Sequence, residues 1–189
     1  MFRRIGPLRC ALVGLLALRP AAATVLADRP LDARLADADA VVLATAPAGA
    51  LRASHWLGGR IFTDVAVDVL ETLRGDVGPG RLTVRLPGGI VAGIAQRVEG
   101  APVLAAGGAW VLLLHRGDDG FMTVQGFALG ALPVTLDAAG APRVLPPHTE
   151  GLTMVRDPRA TTSVTTALEL PPEGIALSRL RAFARALRR

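Results

Sequence analysis

At 189 residues, 51% of them apolar and 20% charged, the chain is long enough for one domain with a proper core and too apolar for disorder. The formal net charge of +5 does not argue for a nucleic-acid partner, because four arginines fall within the first 19 residues and the rest of the chain carries 17 Arg against 16 acidic residues. No Lys occurs and the single Cys is Cys10, which excludes P-loop and Schiff-base lysines and, past the leader, disulfides, thiol catalysis and thiolate metal sites.

The leader comes first. Arg3, Arg4 and Arg9 precede an apolar run, Cys10–Leu18, and then Ala21-Ala22-Ala23. This is the order of a signal peptide over residues 1–23, with Val25-Leu26-Ala27 a second candidate cleavage site. The nine apolar residues fall far short of the ~20 a membrane span needs. The exported chain is expected in the periplasm or outside the cell. Residues 28–145 read as a β-barrel domain, 146–176 as an extended Pro-containing segment and 177–189 as a basic helix.

Leu31 to Ala38 predicts a short helix and Ala40–Thr45 a buried strand. Ala46 to Gly59 reads as a loop holding His55 and Trp56 and closing on Gly58-Gly59. Ile61–Leu73 then alternates Val65, Val67 and Val69 with Asp64, Ala66 and Asp68, a strand with one buried and one wetter face. At ~3.3 Å per residue it would run ~40 Å if straight. A bulge is expected at Val69-Leu70, where the alternation slips. Gly75 to Gly80 turns the chain into Leu82, Val84 and Leu86, alternating with Arg81, Thr83 and Arg85. Pro87-Gly88-Gly89 opens a long connection with a short edge strand expected within Ile90–Val98. Trp110–Leu114 is apolar without alternation, which predicts a central strand covered on both faces. Gly117–Gly120 turns into a strand over Phe121–Phe127. Leu132, Val134 and Leu136 alternate again before Asp137–Gly140 turns into Arg143–Leu145. Leu180, Phe183, Ala184 and Leu187 form one stripe of a C-terminal helix with Ser178 as its expected N-cap. The predicted fold is mainly β: a small OB-like Greek-key barrel of five to seven strands, with a short N-terminal helix and a C-terminal amphipathic helix.

Chemistry is sparse. There is no Gly-x-Ser-x-Gly elbow and no His-Glu-x-x-His. His55, His115 and His148 show no ligand spacing, so no metal and no cofactor are expected. Asp118-Asp119 between glycines reads as turn chemistry, and Asp64 with Asp68 as a solvated face. Gly88-Gly89 would allow close backbone approach to a ligand, or simply turn the strand end. The Arg-rich C-terminal helix reads as docked by its apolar stripe with Arg outward, with membrane-surface binding or an acidic partner as the alternatives.

Several stretches carry a resemblance: Ala38-Asp-Ala-Val-Val, Thr63 through Gly75, Leu82 through Gly89, Val98-Glu-Gly-Ala-Pro and Gly107 through Leu114. Together they resemble a group of uncharacterised secreted bacterial proteins. More loosely, the long strand ending in Arg74-Gly75 and the strand after it resemble the netrin-like OB-fold domain of tissue inhibitors of metalloproteases. The resemblance implies a five-stranded Greek-key barrel and suggests a secreted or periplasmic enzyme, such as a metalloprotease, as a partner. It carries no mechanism, because those inhibitors chelate zinc through an N-terminal Cys that this chain lacks once its leader is removed.

The expected function is therefore an exported, non-enzymatic binding domain that meets another exported protein, with no nucleic acid involved and no membrane contact beyond the leader. A hydrolase assembled from separate loops is the alternative. The candidate binding residues are His55, Trp56, Arg60, Gly88 and Gly89, in the connections Ala46–Arg60 and Pro87–Gly108 at one barrel end. Trp56 either anchors a partner or plugs the barrel.

Overall fold

The computed structural model describes residues 25–50, 52–150, 152–156 and 168–187; the expected leader over residues 1–23 lies outside them. In chain order the elements are β1 (Val25–Asp28), α1 (Leu31–Asp37), β2 (Ala40–Thr45), β3 (Arg52–Leu57), β4 (Arg60–Arg74), β5 (Gly80–Pro87), β6 (Gly89–Val91), β7 (Ile94–Gln96), β8 (Ala109–Arg116) and β9 (Met122–Val124). A 3-10 turn (Phe127–Gly130), β10 (Ala131–Leu136), β11 (Pro142–Val144), β12 (Thr153–Arg156), β13 (Ile175–Ala176) and α2 (Leu177–Ala186) follow.

Five strands close into a barrel in the order β2, β4, β5, β9, β8 and back to β2. All contacts are antiparallel except the closing one, where β5 and β9 run parallel. The ring therefore has the order and closure of an OB-like barrel, as expected. From β8 the sheet continues outward through β10, β11 and β13.

The apolar pattern builds two cores on the two faces of this sheet. Val42, Ala44, Val65, Val67, Val69, Val84, Leu86, Trp110, Leu112 and Leu114 fill the barrel. Val41, Val111, Leu113, Leu132 and Val144 point the other way, under Leu31 and Leu35 of α1 and Leu177, Leu180 and Ala184 of α2. The unalternating run Trp110–Leu114 is thus explained: its even positions belong to one core and its odd positions to the other. In β4 the change of core is made by bulges. Leu43 pairs with Glu71 and Ala44 with Val69, which leaves Leu70 as the extra residue. A second extra residue, Leu73, lies between the partners of Val41 and Val42. A one-residue slip reverses every later side chain. Hence Val65, Val67 and Val69 face the barrel, whereas Leu73 joins the helix-covered core.

The structure corrects several expectations. The stretch Ala46–Gly59 is not all loop: Arg52–Leu57 is a strand, and Gly58-Gly59, with φ of 55° and 75°, is the two-residue turn of a hairpin with β4. The edge strand expected in Ile90–Val98 is instead the β6–β7 hairpin, turned at Ala92-Gly93. The strand over Phe121–Phe127 shortens to Met122–Val124, because the chain turns left-handed at Gly126 and Phe127. Ser178 does not cap α2; Ala176 holds that position and no side chain bonds the helix start. Within the segment after Pro146, β12 pairs in parallel with β1 and β13 extends the sheet. The C-terminal helix is docked by its apolar stripe, and Arg181 additionally forks onto Glu71 of β4 at 2.6–3.0 Å.

Candidate functional site

At one end of the barrel the β3–β4 hairpin, the β6–β7 hairpin and the connection from Arg97 to Leu104 surround an open mouth. The closure there is short. Only Val84↔Met122 and Arg85↔Thr123 pair between β5 and β9. Beyond them β5 runs on to Pro87, while β9 ends at Val124 and turns away at Gly126-Phe127. Two cavities occupy this end. One, of about 650 Å³, lies between Gly88-Gly89, Arg97–Leu104 and the side of His148, Glu150 and Leu152. The other, of about 530 Å³, opens where β5 and β9 diverge, between Phe62, Pro87, Pro102 and Phe127, with Arg60 and Gln96 in its lining.

The five candidate residues are distributed across this end rather than gathered at one point. His55 and Trp56 alternate on β3 and so face opposite sides. His55 stands on the outer face, with Nδ1 3.9 Å from Asp64 Oδ2. Trp56 is paired with Ile61 and remains 48% exposed, so it does not plug the barrel. Arg60, exposed at the start of β4, lines the smaller cavity. Gly88 and Gly89 line the larger one. Their lack of a side chain is used by the protein itself. Gly89 has φ of 146°, and a Cβ there would overlap Thr63 Oγ1 and lie 2.6 Å from Ser54 Oγ. Those hydroxyls are bonded to each other at 2.9 Å, and Thr63 Oγ1 donates to the Gly88 carbonyl at 2.7 Å. The glycines thus let β6 cross the β3–β4 face in contact.

The outer face of β4–β5 carries a cluster that the residue pattern alone concealed. Asp64 is not part of a solvated face. Arg85, 7% exposed, forks onto Asp64 at 2.8 and 3.0 Å and reaches Asp119 Oδ2 with its third nitrogen at 2.5 Å. The guanidinium also lies 3.6 Å from the centroid of the Phe121 ring. The hydrogen bonds that Arg85 donates to Asp64, more than the opposing burial, hold the Arg85 pKa above its ordinary value. With its donors directed at two carboxylates, this arginine pins the β8–β9 turn onto β4 and β5. Asp68 is ion-paired too, with Arg81 at 3.3 Å, but at the surface.

Among the described residues no three His, Cys, Asp or Glu side chains are grouped to hold a metal ion. Ser54 is bonded to Thr63, and His55 faces Asp64 from the other side of β3, so these neighbours do not form a nucleophile–base pair. No helix among the described residues is long and apolar enough to cross a membrane.

What the mouth does offer is apolar surface on a strand edge. β3 pairs with β4 alone, and no other described strand takes its second edge. Trp56 and Leu57 are exposed on it, and Ile90 and Ile94 are exposed on the adjacent β6–β7 hairpin. Fold and site together define a small OB-like barrel whose mouth presents an apolar-flanked edge strand and two cavities. No family model, curated protein or solved structure matches the chain.

Proposed function

We propose that the chain is an exported, non-enzymatic binding domain that captures an extended segment of another exported protein along the free edge of β3. The observation that carries this reading is the exposed pair Trp56 and Leu57 on a strand whose second edge has no described partner. Such an edge offers unsatisfied backbone donors and acceptors to an incoming strand, and the side chains alternating along it supply selectivity. Trp is among the residues that dominate binding energy when an interface covers them. The resemblance to netrin-like domains makes a secreted or periplasmic enzyme, such as a metalloprotease, the first class of partner to try.

The test is cross-linking in the native host, followed by titration of the purified partner. Trp56→Ala is expected to weaken binding at least tenfold, with the melting temperature held, and backbone amides of β3 are expected to gain hydrogen-exchange protection in the complex. A variant that loses stability yet keeps its affinity would make Trp56 a packing residue and remove the reading. A loop-assembled hydrolase, the second reading, would instead show turnover that depends on His55 or Asp64.

A further inference from the structure

We infer that the 530 Å³ cavity between the diverging ends of β5 and β9 is a binding site for a small free carboxylic acid with an apolar, preferably aromatic, body. This site is separate from the β3 edge and does not depend on the reading given to that edge. Three observations converge on it.

The walls are apolar and stiff. Phe62, Pro87, Val98, Pro102 and Phe127 line the cavity, and its volume falls in the ~300–1,000 Å³ range of small-molecule sites. Prolines and rings lose little rotamer freedom when a ligand covers them, which lowers the cost of binding.

The unspent polar groups are donors. Arg60 lines the cavity, is exposed, and makes no ion pair or side-chain hydrogen bond among the described residues. Gln96 accepts the Ile61 backbone N–H at 2.6 Å, so the contacting atom is its carbonyl oxygen. That leaves the amide NH2 as a donor on a residue that also lines the cavity. Arg85, at the same wall, is committed to Asp64 and Asp119. No carboxylate among the described residues lines the cavity to answer Arg60. A guanidinium and an amide N–H at the rim of an apolar slot suit a carboxylate, which Arg can grip with two parallel bonds.

The third observation is strain. Phe127 holds φ of 56°, the left-handed region that non-glycine residues rarely occupy, immediately after Gly126 at 66°. A bulky residue is strained in that conformation, and such strain collects at ligand sites. Here it carries a 38% exposed ring to the cavity wall, although a glycine would fit the backbone better.

The experiment is calorimetric and NMR titration of the full chain with 4-phenylbutyrate and, in parallel, with its neutral primary amide. The acid is expected to bind at one site, with the amide at least tenfold weaker, because the charge-assisted bond is lost. Shifts are expected to centre on the Gln96 side-chain NH2, Thr123 and Phe127. Arg60→Gln, at an exposed position, should bring the acid down to the amide's affinity. Phe127→Gly, which suits the left-handed backbone, should weaken both ligands by removing one wall. Equal affinity for acid and amide, an acid affinity unaltered by Arg60→Gln, shifts centred elsewhere, or no saturation would each overturn the inference.

Discussion

Replacing Arg85 by Leu tests whether the outer face of β4–β5 is held by one buried guanidinium. Removing one partner of a buried ion pair costs ~3–5 kcal/mol, because the other charge stays desolvated. Here the relief is partial. The Asp64 side chain keeps 20% exposure and that of Asp119 44%, so water recovers some of both, and the Asp119 arm belongs with surface pairs worth ~0–1 kcal/mol. The expected loss is therefore ~2–3 kcal/mol, nearly all of it from Asp64. In a chain of this size that lowers the melting temperature by roughly 5–10 °C. Urea unfolding of Arg85→Leu, Asp64→Asn, Asp119→Asn and the two double variants completes the cycles. Coupling should be large for Arg85–Asp64 and small for Arg85–Asp119. Arg85→Leu with Asp64→Leu should regain part of the loss, since the pair is then replaced by apolar packing. A stability change below ~0.5 kcal/mol in Arg85→Leu, or a larger coupling to Asp119 than to Asp64, would refute the account.

Val67 and Leu112 are fully buried in the barrel, so Asp at either should cost several kcal/mol out of the ~5–15 typical of a domain, read as loss of the cooperative transition near room temperature. Gly89→Ala should destabilise more than Gly93→Ala: both backbones have positive φ, but only the first Cβ meets neighbouring atoms, and equal melting temperatures would contradict that packing. Asp39 accepts the Arg116 N–H and lies 2.7 Å from His115 Nδ1, which lowers its pKa below 3.8, the backbone bond foremost. A carboxylate lowered in the folded state stabilises above its unfolded pKa and loses that contribution as pH falls through the folded value, so the melting-temperature gap between parent and Asp39→Asn should narrow below about pH 4. The expected leader cleavage should follow Ala23 rather than Ala27, because β1 pairs with β12 over Val25–Asp28 and Leu26 is buried; terminal sequencing of the mature chain from the native host decides between them.

Much of the barrel was legible because its strands advertise themselves. β2 and β8 stand out as apolar runs, and the slip at Val69-Leu70 marked the bulge that puts Leu70 outside the ladder. β3 was hidden for the opposite reason. No residue of Arg52–Leu57 is buried, so it lacks the buried alternation by which strands are recognised. The signal that would have found it is the Gly58-Gly59 pair directly ahead of a strong strand, since two glycines spanning a reversal are the usual core of a tight hairpin. Of the five candidate residues, Arg60 and the two glycines line cavities, and Trp56 with its exposed neighbour Leu57 marks an edge.

The remaining features depend on closure, which no local pattern contains. Pairing of Asp64 with Arg85 follows once the β4–β5 register is known, since the two stand opposite each other. Asp119 and Phe121 reach Arg85 only because β9 comes back beside β5. The cavity with Arg60 and Phe127 exists because that parallel contact stops after two residue pairs. A longer β5–β9 ladder would close the slot and leave Arg60 on a plain surface. A shorter one would release the Asp119 arm of the Arg85 clamp. The same seam therefore sets both the Arg85 clamp and the apolar opening beside it, and substitutions that lengthen or loosen it should move the two properties together.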